Sequence, residues 1–583
     1  MRWVQMAAIS LAAFSLGCSA SSAGSGQNQS DWPAYSESGA SFSGSLQGIN
    51  TPGWGAGAPL PYAPNSQPPS PWVAYPQGVA QSQGLGGGEP AFVFPGQAAM
   101  NAGGSGAAPP PLIVGAPISA APAPMDTRPR MGALRDFAYI YKNPAKKGLA
   151  LGYIRLGTSV PLLSESPLKG EGCKKGWYPV SPRGYACLDH KTTLDLHDPY
   201  FKALQSVAPA QGVWPYRYAF SNGAPMYSRV PRAEEAAKAE KKFGPPGSYV
   251  QLAEWSAGHE ELLSKEPILA SDPMPSFFAE GKRLIGGGPR DVRRLVWREI
   301  PNGSMVAYAK AFEANGRTWL LTPDLMLVPA DRVRAIRRSE FEGIALGKGI
   351  ELPLAWNRHQ SPKPKYKQRE DGTLIRLDGA LGSKSALPIG DEQMRISGEN
   401  YYAIRGEPGL FVAAADITIS RARKEMPLGL APNRKWIEVK IVPGTLTAYE
   451  GLRPVYATLF SPGKGGVPVP GKDHTKYATT ALGYFPIEWK DRVATMSNEK
   501  SEPKVLWFSD VPNIQYLRPP LAMHVAYWHE DFGRPKSAEC VNISPKDGAW
   551  LFQWTEPSLP EGWGGIRPGD GNGFSTPVLI TSR

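Results

Sequence analysis

Cysteine and histidine are scarce in this chain: 583 residues carry four of the first and seven of the second. Cys173 and Cys187 have neither a second Cys pair nor a close His pair beside them, which argues against a structural zinc site. No metal and no cofactor are expected. Lys and Arg outnumber Asp and Glu by 63 to 51, giving a net charge of +12. These positive residues never gather into long blocks interleaved with aromatics, so a nucleic-acid-binding module is excluded. Mild basicity instead suits work beside an anionic envelope polymer. The glycine runs at 286–288 and 343–349 lack the spacing and lysine of a phosphate cradle, and they read as turns. Between Ser19 and Pro124 there is no Lys or Arg at all, and Asp31, Glu37 and Glu89 are the only acids.

That last absence sets the organisation. A tract rich in Gly, Pro, Ser, Ala and Gln cannot bury a core, so residues 18–127 are expected to be a disordered tether. As a flexible coil it would span on the order of 60 Å. Before it, Arg2 precedes the apolar run Met6–Phe14, too short to span a bilayer, and residues 1–17 read as a signal peptide. The run ends in Gly17-Cys18, which resembles a bacterial lipobox. The resemblance implies lipidation of Cys18 and a periplasmic protein anchored through lipid, with the outer membrane favoured because Ser19 follows. Simple secretion with loss of Cys18 is the alternative.

At this length three or four domains fit. Residues 128–200 hold short apolar runs (Phe137–Tyr141, Leu149–Ile154, Trp177–Val180) divided by Gly, Pro and Lys turns, the pattern of a small β-barrel. It resembles the bacterial Src-homology-3-like modules of wall-associated proteins. Residues 201–432 are mixed, with a short helix near Ala233–Lys242 supported by a Glu234–Lys238 pairing. The β-rich patches Gly303–Ala309, Thr318–Leu321 and Tyr401–Ile404 make a further barrel-like module plausible there. His190, His197, His259 and His359 have no convergent partners in sequence and read as structural or exposed. An exported chain meets an oxidising compartment, and the spacing of Cys173 and Cys187 across a hairpin allows a disulfide worth roughly 3 kcal/mol. Cys540 is then left unpaired, and a free thiol in an exported protein calls for a job.

The segment Leu521–Pro545 supplies that job. His524 precedes Cys540 by sixteen positions, too far for one helical face but suited to neighbouring strands. A thiol near neutral pH needs a base beside it to become a good nucleophile, and imidazole is the usual one. After the thiol, Ser544-Pro545-Lys-Asp547 is a helix start with an N-cap Ser, a first-turn Pro and an acid. Upstream, Ile437, Val439 and Ile441 alternate with Trp436, Glu438 and Lys440 before the Pro443-Gly444 turn, a hairpin signature.

Together these pieces resemble the L,D-transpeptidase (YkuD-type) catalytic domain. Its signature is a histidine, a spacer, then Ser/Thr-His-Gly-Cys, a hydrophobic residue and Asn or Arg. His524, Ser537, Cys540 and Asn542 fall on that pattern, Lys435–Tyr449 on the opening hairpin, and Thr480–Phe485, Phe508–Pro512 and Thr576–Thr581 on later strands. The sequence departs where Ala538-Glu539 replaces His-Gly and Val525 replaces Gly. The resemblance implies a mainly β chain: residues 433–583 form a transpeptidase-like β-sandwich with a short helix after the nucleophile, preceded by small barrel modules and the tether. It implies Cys540 as nucleophile, His524 as base, and Val525, Ser537 and Glu539 as oxyanion and support residues. Tyr527, Trp528, His529 and Asn542 would bind a peptidoglycan stem peptide. A metal set from His474, His524, His529 and Cys540 has no recognisable spacing. The competing expectation is a catalytically degenerate, wall-binding lipoprotein of the same fold, favoured by Ala538-Glu539.

Overall fold

The computed structural model describes residues 127–247, 252–281, 294–497 and 506–583. Cys18, the expected signal peptide, the tether and the glycine run at 286–288 lie outside them. Residues Arg128–Arg583 fall within one compact unit. Among the described residues no helix is long and apolar enough to cross a membrane. The fold is mainly β, as expected.

The carboxy-terminal region is built from strands β1 (Lys435–Lys440), β2 (Thr445–Glu450), β3 (Arg453–Leu459), β4 (Gly483–Pro486), β5 (Trp489–Ser497), β6 (Trp507–Arg518), β7 (Leu521–Val525) and β8 (Val541–Ile543). Helix α1 (Pro545–Trp554) and strands β9 (Trp563–Ile566) and β10 (Pro577–Thr581) complete it. One sheet runs β3-β2-β1-β10-β4, extended by Ile344–Ala345. In the other, β5, β6 and β7 are antiparallel neighbours and β8 lies parallel to β7. Ile437, Val439, Leu446, Leu517, Met523, Val541, Ile543, Val578 and Ile580 fill the space between the two sheets. The opening hairpin is buried on both faces, because Trp436 stacks on Tyr449 and Glu438 is covered by Arg423 and Lys440. Its turn needs Gly444: φ is +69°, and a Cβ there would sit 2.4 Å from the carbonyl oxygen of Gly533.

The upstream regions are not beads on a string. β9 pairs with Ala150–Ile154, and β6 pairs in parallel with Met305–Tyr308, so one sheet passes through all three regions. Trp563 and Ile566 complete the apolar core around Met131, Ile140 and Val160. The seams also carry buried polar pairs: Tyr153 donates to Asp491 at 3.0 Å, and Arg155 meets Asp510 at 2.9 Å. A disulfide joins Cys173 to Cys187. Residues 354–420 form a separate seven-stranded sheet around Ala355, Ile389 and Val412. The upstream helix spans Ala233–Glu240, and Glu235 rather than Glu234 is engaged, by Arg229 and Arg232.

Helix α1 starts where the capping signals placed it. Ser544 accepts from the Asp547 N–H, and Pro545 occupies the first turn. Buried Asp547 also receives Tyr456 Oη at 2.7 Å and Thr458 Oγ1 at 2.6 Å, tying the helix to β3. At the other end the fully buried Lys490 Nζ donates to the carbonyls of Phe552, Thr555 and Pro557 at 2.7–2.9 Å. Burial pulls its pKa down to about 7. Three carbonyl acceptors at the negative end of a helix nevertheless call for the ammonium. Lys490→Met would leave those oxygens buried without a donor, at on the order of 3 kcal/mol. A lower urea midpoint with unchanged slope is the expected result.

Candidate active site

Strand register decides what His524 and Cys540 can do. Along β7, Met523 points into the sandwich core while Ala522 and His524 face the other way, as period two demands. On β8, Val541 and Ile543 point into the same core, which turns Cys540 and Asn542 to the opposite face. Met523 pairs with Val541 and His524 with Asn542. Cys540 therefore lies beside Ala522, diagonal to His524 on one face. Diagonal neighbours in a sheet sit roughly 7–8 Å apart, within reach of an aromatic side chain.

His524 is 4 % exposed, and its Nδ1–H donates to the carbonyl oxygen of Val525 at 2.9 Å. That bond fixes the tautomer and leaves Nε2 as the acceptor nitrogen. Burial pulls the His524 pKa down to about 4, against a smaller opposing effect of the Val525 carbonyl. The half-buried Cys540 thiol is pushed up to about 12, first by burial and then by the charge of Glu539, while the Ala522 N–H opposes both. The resting pair is thus a thiol beside a neutral imidazole. Among the described residues no hydrogen bond links them; Sγ lies 3.7 Å from the Pro520 carbonyl oxygen.

The turn before the thiol is tightly held. Ser537 Oγ donates to the Cys540 carbonyl at 2.5 Å, and Thr480 Oγ1 donates to the Glu539 carbonyl at 2.7 Å. In a trans peptide the Glu539 carbonyl and the Cys540 N–H point in opposite directions. Thr480 thereby turns the Cys540 N–H away from itself. Asn542 exchanges two backbone bonds with Ser461.

Tyr527, Trp528 and His529 are 2 %, 4 % and 1 % exposed, so their side chains lie in the core. Tyr527 stacks on Tyr218, and the Trp528 ring lies 5.9 Å from that of His524. His529 Nε2 is 3.1 Å from the Asn542 side-chain amide. His474 is bonded to Thr479, and among the described residues no group of three or more His, Cys, Asp or Glu could hold a metal ion. A groove of about 350 Å³ is lined by Leu149, Ile487, Trp489, Tyr516, Pro519 and Arg567, among others, but by no residue of the Ser537–Cys540 turn. Burial pushes the Tyr516 phenol up, so it is neutral near Cys540.

Two participants escaped the sequence reading. Thr480 was legible only as part of a strand entry. His259 is not partnerless: it is buried and sits between the carboxylates of Glu261 and Asp531. Sequence gives no signal for that pairing, because the Asp531 partner lies 272 positions away.

Residues 434–580 match the family model of the L,D-transpeptidase catalytic domain, YkuD. No curated protein matches the chain. Similar solved structures include an L,D-transpeptidase of Xylanimonas cellulosilytica (23 % identity, TM-score 0.17, covering 27 % of this chain and 65 % of that one). Others are the catalytic domain of the E. faecium L,D-transpeptidase (19 %, TM-score 0.18, 26 % and 98 %) and an L,D-transpeptidase of Mycobacterium smegmatis (16 %, TM-score 0.19, 33 % and 82 %). Residues 434–580 are thus similar to an L,D-transpeptidase catalytic domain.

Proposed function

We propose that this protein is a peptidoglycan L,D-transpeptidase whose acyl carrier is Cys540. The observation that carries the reading is the β7–β8 register, which sets Cys540 diagonal to a His524 whose Nε2 lone pair is free of its Nδ1 bond. Cys540 Sγ attacks the carbonyl between the L-centre and the terminal D-Ala of a tetrapeptide stem as Nε2 takes the thiol proton. The Cys540 N–H, with that of Glu539, receives the oxyanion. The proton then passes to the D-Ala amine, which leaves, and a thioester remains. A side-chain amine of a second stem attacks the thioester, giving a cross-link and restoring the thiol; water in its place would make a carboxypeptidase.

Asn542 would contact the stem. The groove beside Tyr516 is a suitable berth for the donor. The upstream modules would bind or space the wall, and Cys18 would anchor the chain in the periplasm, at the outer membrane. A second reading, a non-catalytic wall binder, draws on Glu539 and on a thiol pushed to about 12.

Intact-protein mass after exposure to a carbapenem, which acylates members of this family, separates the two. A single covalent adduct together with turnover of tetrapeptide stems is expected. Absence of both leaves the binder.

A further inference from the structure

The His259 imidazole reaches the catalytic segment from a different module. Its Nδ1 is 2.8 Å from Glu261 Oε1 and its Nε2 is 2.7 Å from Asp531 Oδ2, with the ring 1 % exposed. Carboxylates only accept, so both ring nitrogens must donate and the ring is an imidazolium. The two carboxylates outweigh burial and raise its pKa. The other charged or titratable groups around it are Arg534 and Lys536, both paired with Asp531, and His529, whose ring centroid is 6.1 Å away.

Asp531 passes this anchoring on. Its backbone N–H donates to His529 Nδ1 at 3.2 Å, so Nδ1 is an acceptor and the neutral ring carries its proton on Nε2. Burial, and after it the neighbouring imidazolium, disfavours a charge on His529. An Nε2–H requires an acceptor, yet the atom 3.1 Å away is placed as Asn542 Nδ2, itself a donor, while Oδ1 is buried without a partner. The two ends of an amide are told apart by their hydrogen bonds. Asn542 must therefore offer its oxygen to His529. Its NH₂ then takes the other position, which is buried and has no protein partner. Asn542 stands on the face shared by His524 and Cys540, directly beside His524 in the ladder.

We propose that His259 is a positioning residue: through Asp531 and His529 it sets the Asn542 amide so that an N–H donor, not an oxygen, is presented on the catalytic face to a carbonyl or carboxylate of the substrate. The inference deepens the transpeptidase reading and rests on it for the identity of the ligand.

The test uses the full chain with ¹⁵N-labelled histidine. In wild type the His529 ring is expected to show a protonated Nε2 and bare Nδ1, and His259 two protonated nitrogens. His259→Gln should mix the His529 tautomers and slow carbapenem acylation about 10- to 100-fold, the usual cost of removing a supporting residue. His259→Lys, which restores a cation against Asp531, should recover part of both. Glu261→Gln removes only the half-exposed carboxylate and guards against misfolding. It should match wild type at low pH and lose the His529 signature at a lower pH than wild type does. Unchanged His529 resonances and acylation in His259→Gln, or pH-independent wild-type behaviour of Glu261→Gln, would overturn the proposal. The resonances report even if wild type fails to acylate, which would count against the enzyme reading alone.

Discussion

Cys540→Ala is expected to take up no carbapenem mass and to turn over tetrapeptide stems at least roughly a thousandfold more slowly than wild type. Cys540 is the one free cysteine among the described residues, since Cys173 and Cys187 are joined. On the β8 side of the ladder His524 is paired with Asn542, and on the β6 side Tyr516 stands opposite Ala522. The thiol is half-buried against the cluster around Trp528, so trimming it to a methyl removes little packing. Stability should change by about 1 kcal/mol. A thermal melt within a few degrees of wild type, alongside lost acylation, assigns the loss to chemistry. Retained turnover in this variant would remove the thiol from the mechanism altogether.

The second large effect belongs to His524→Gln, which cannot accept the thiol proton. A loss of roughly 10²- to 10⁴-fold in acylation is expected, the range for a general base. The pH profile carries the sharper signature. Burial brings His524 to about 4 and pushes Cys540 to about 12, so neither group changes charge across the neutral range. Acylation by wild type should stay level from about pH 5 to 10, with its acid limb near 4 rather than the ordinary 6.5. In His524→Gln that limb should vanish and the residual rate should climb with hydroxide. Stability follows the same ionisation. The folded pKa lies below the unfolded one, so the neutral buried ring contributes stability above pH 6.5 that is lost as pH falls toward 4. An acid limb near 6.5 in wild type would mean that His524 is not the base.

The loop between His529 and Ser537 is held from both flanks. His259 and the Ala257 carbonyl grip Asp531 and Lys536 on one side. On the other, Lys384 pairs with Glu530, Arg358 bonds the Gly533 carbonyl, and Phe341 stacks on Phe532 at 5.6 Å. The His529–Ser537 loop thus takes its shape partly from the regions that precede it.

Several features were written locally. The opening hairpin followed from the alternation at Ile437–Ile441 and the Pro443-Gly444 turn, and α1 from Ser544-Pro545-Lys-Asp547, because capping and alternation depend on residues within one turn or strand. The roles expected of His524 and Cys540 came from spacing and resemblance. Tertiary structure alone decided that β7 and β8 run parallel with Cys540 beside Ala522, since register depends on which core each face fills. It alone buried Glu438 and brought Thr480 to Glu539 and His259 to Asp531. Hydrogen bonds and ion pairs between residues tens or hundreds of positions apart leave no periodic trace along the chain, so folding had to bring those partners together before they could be recognised.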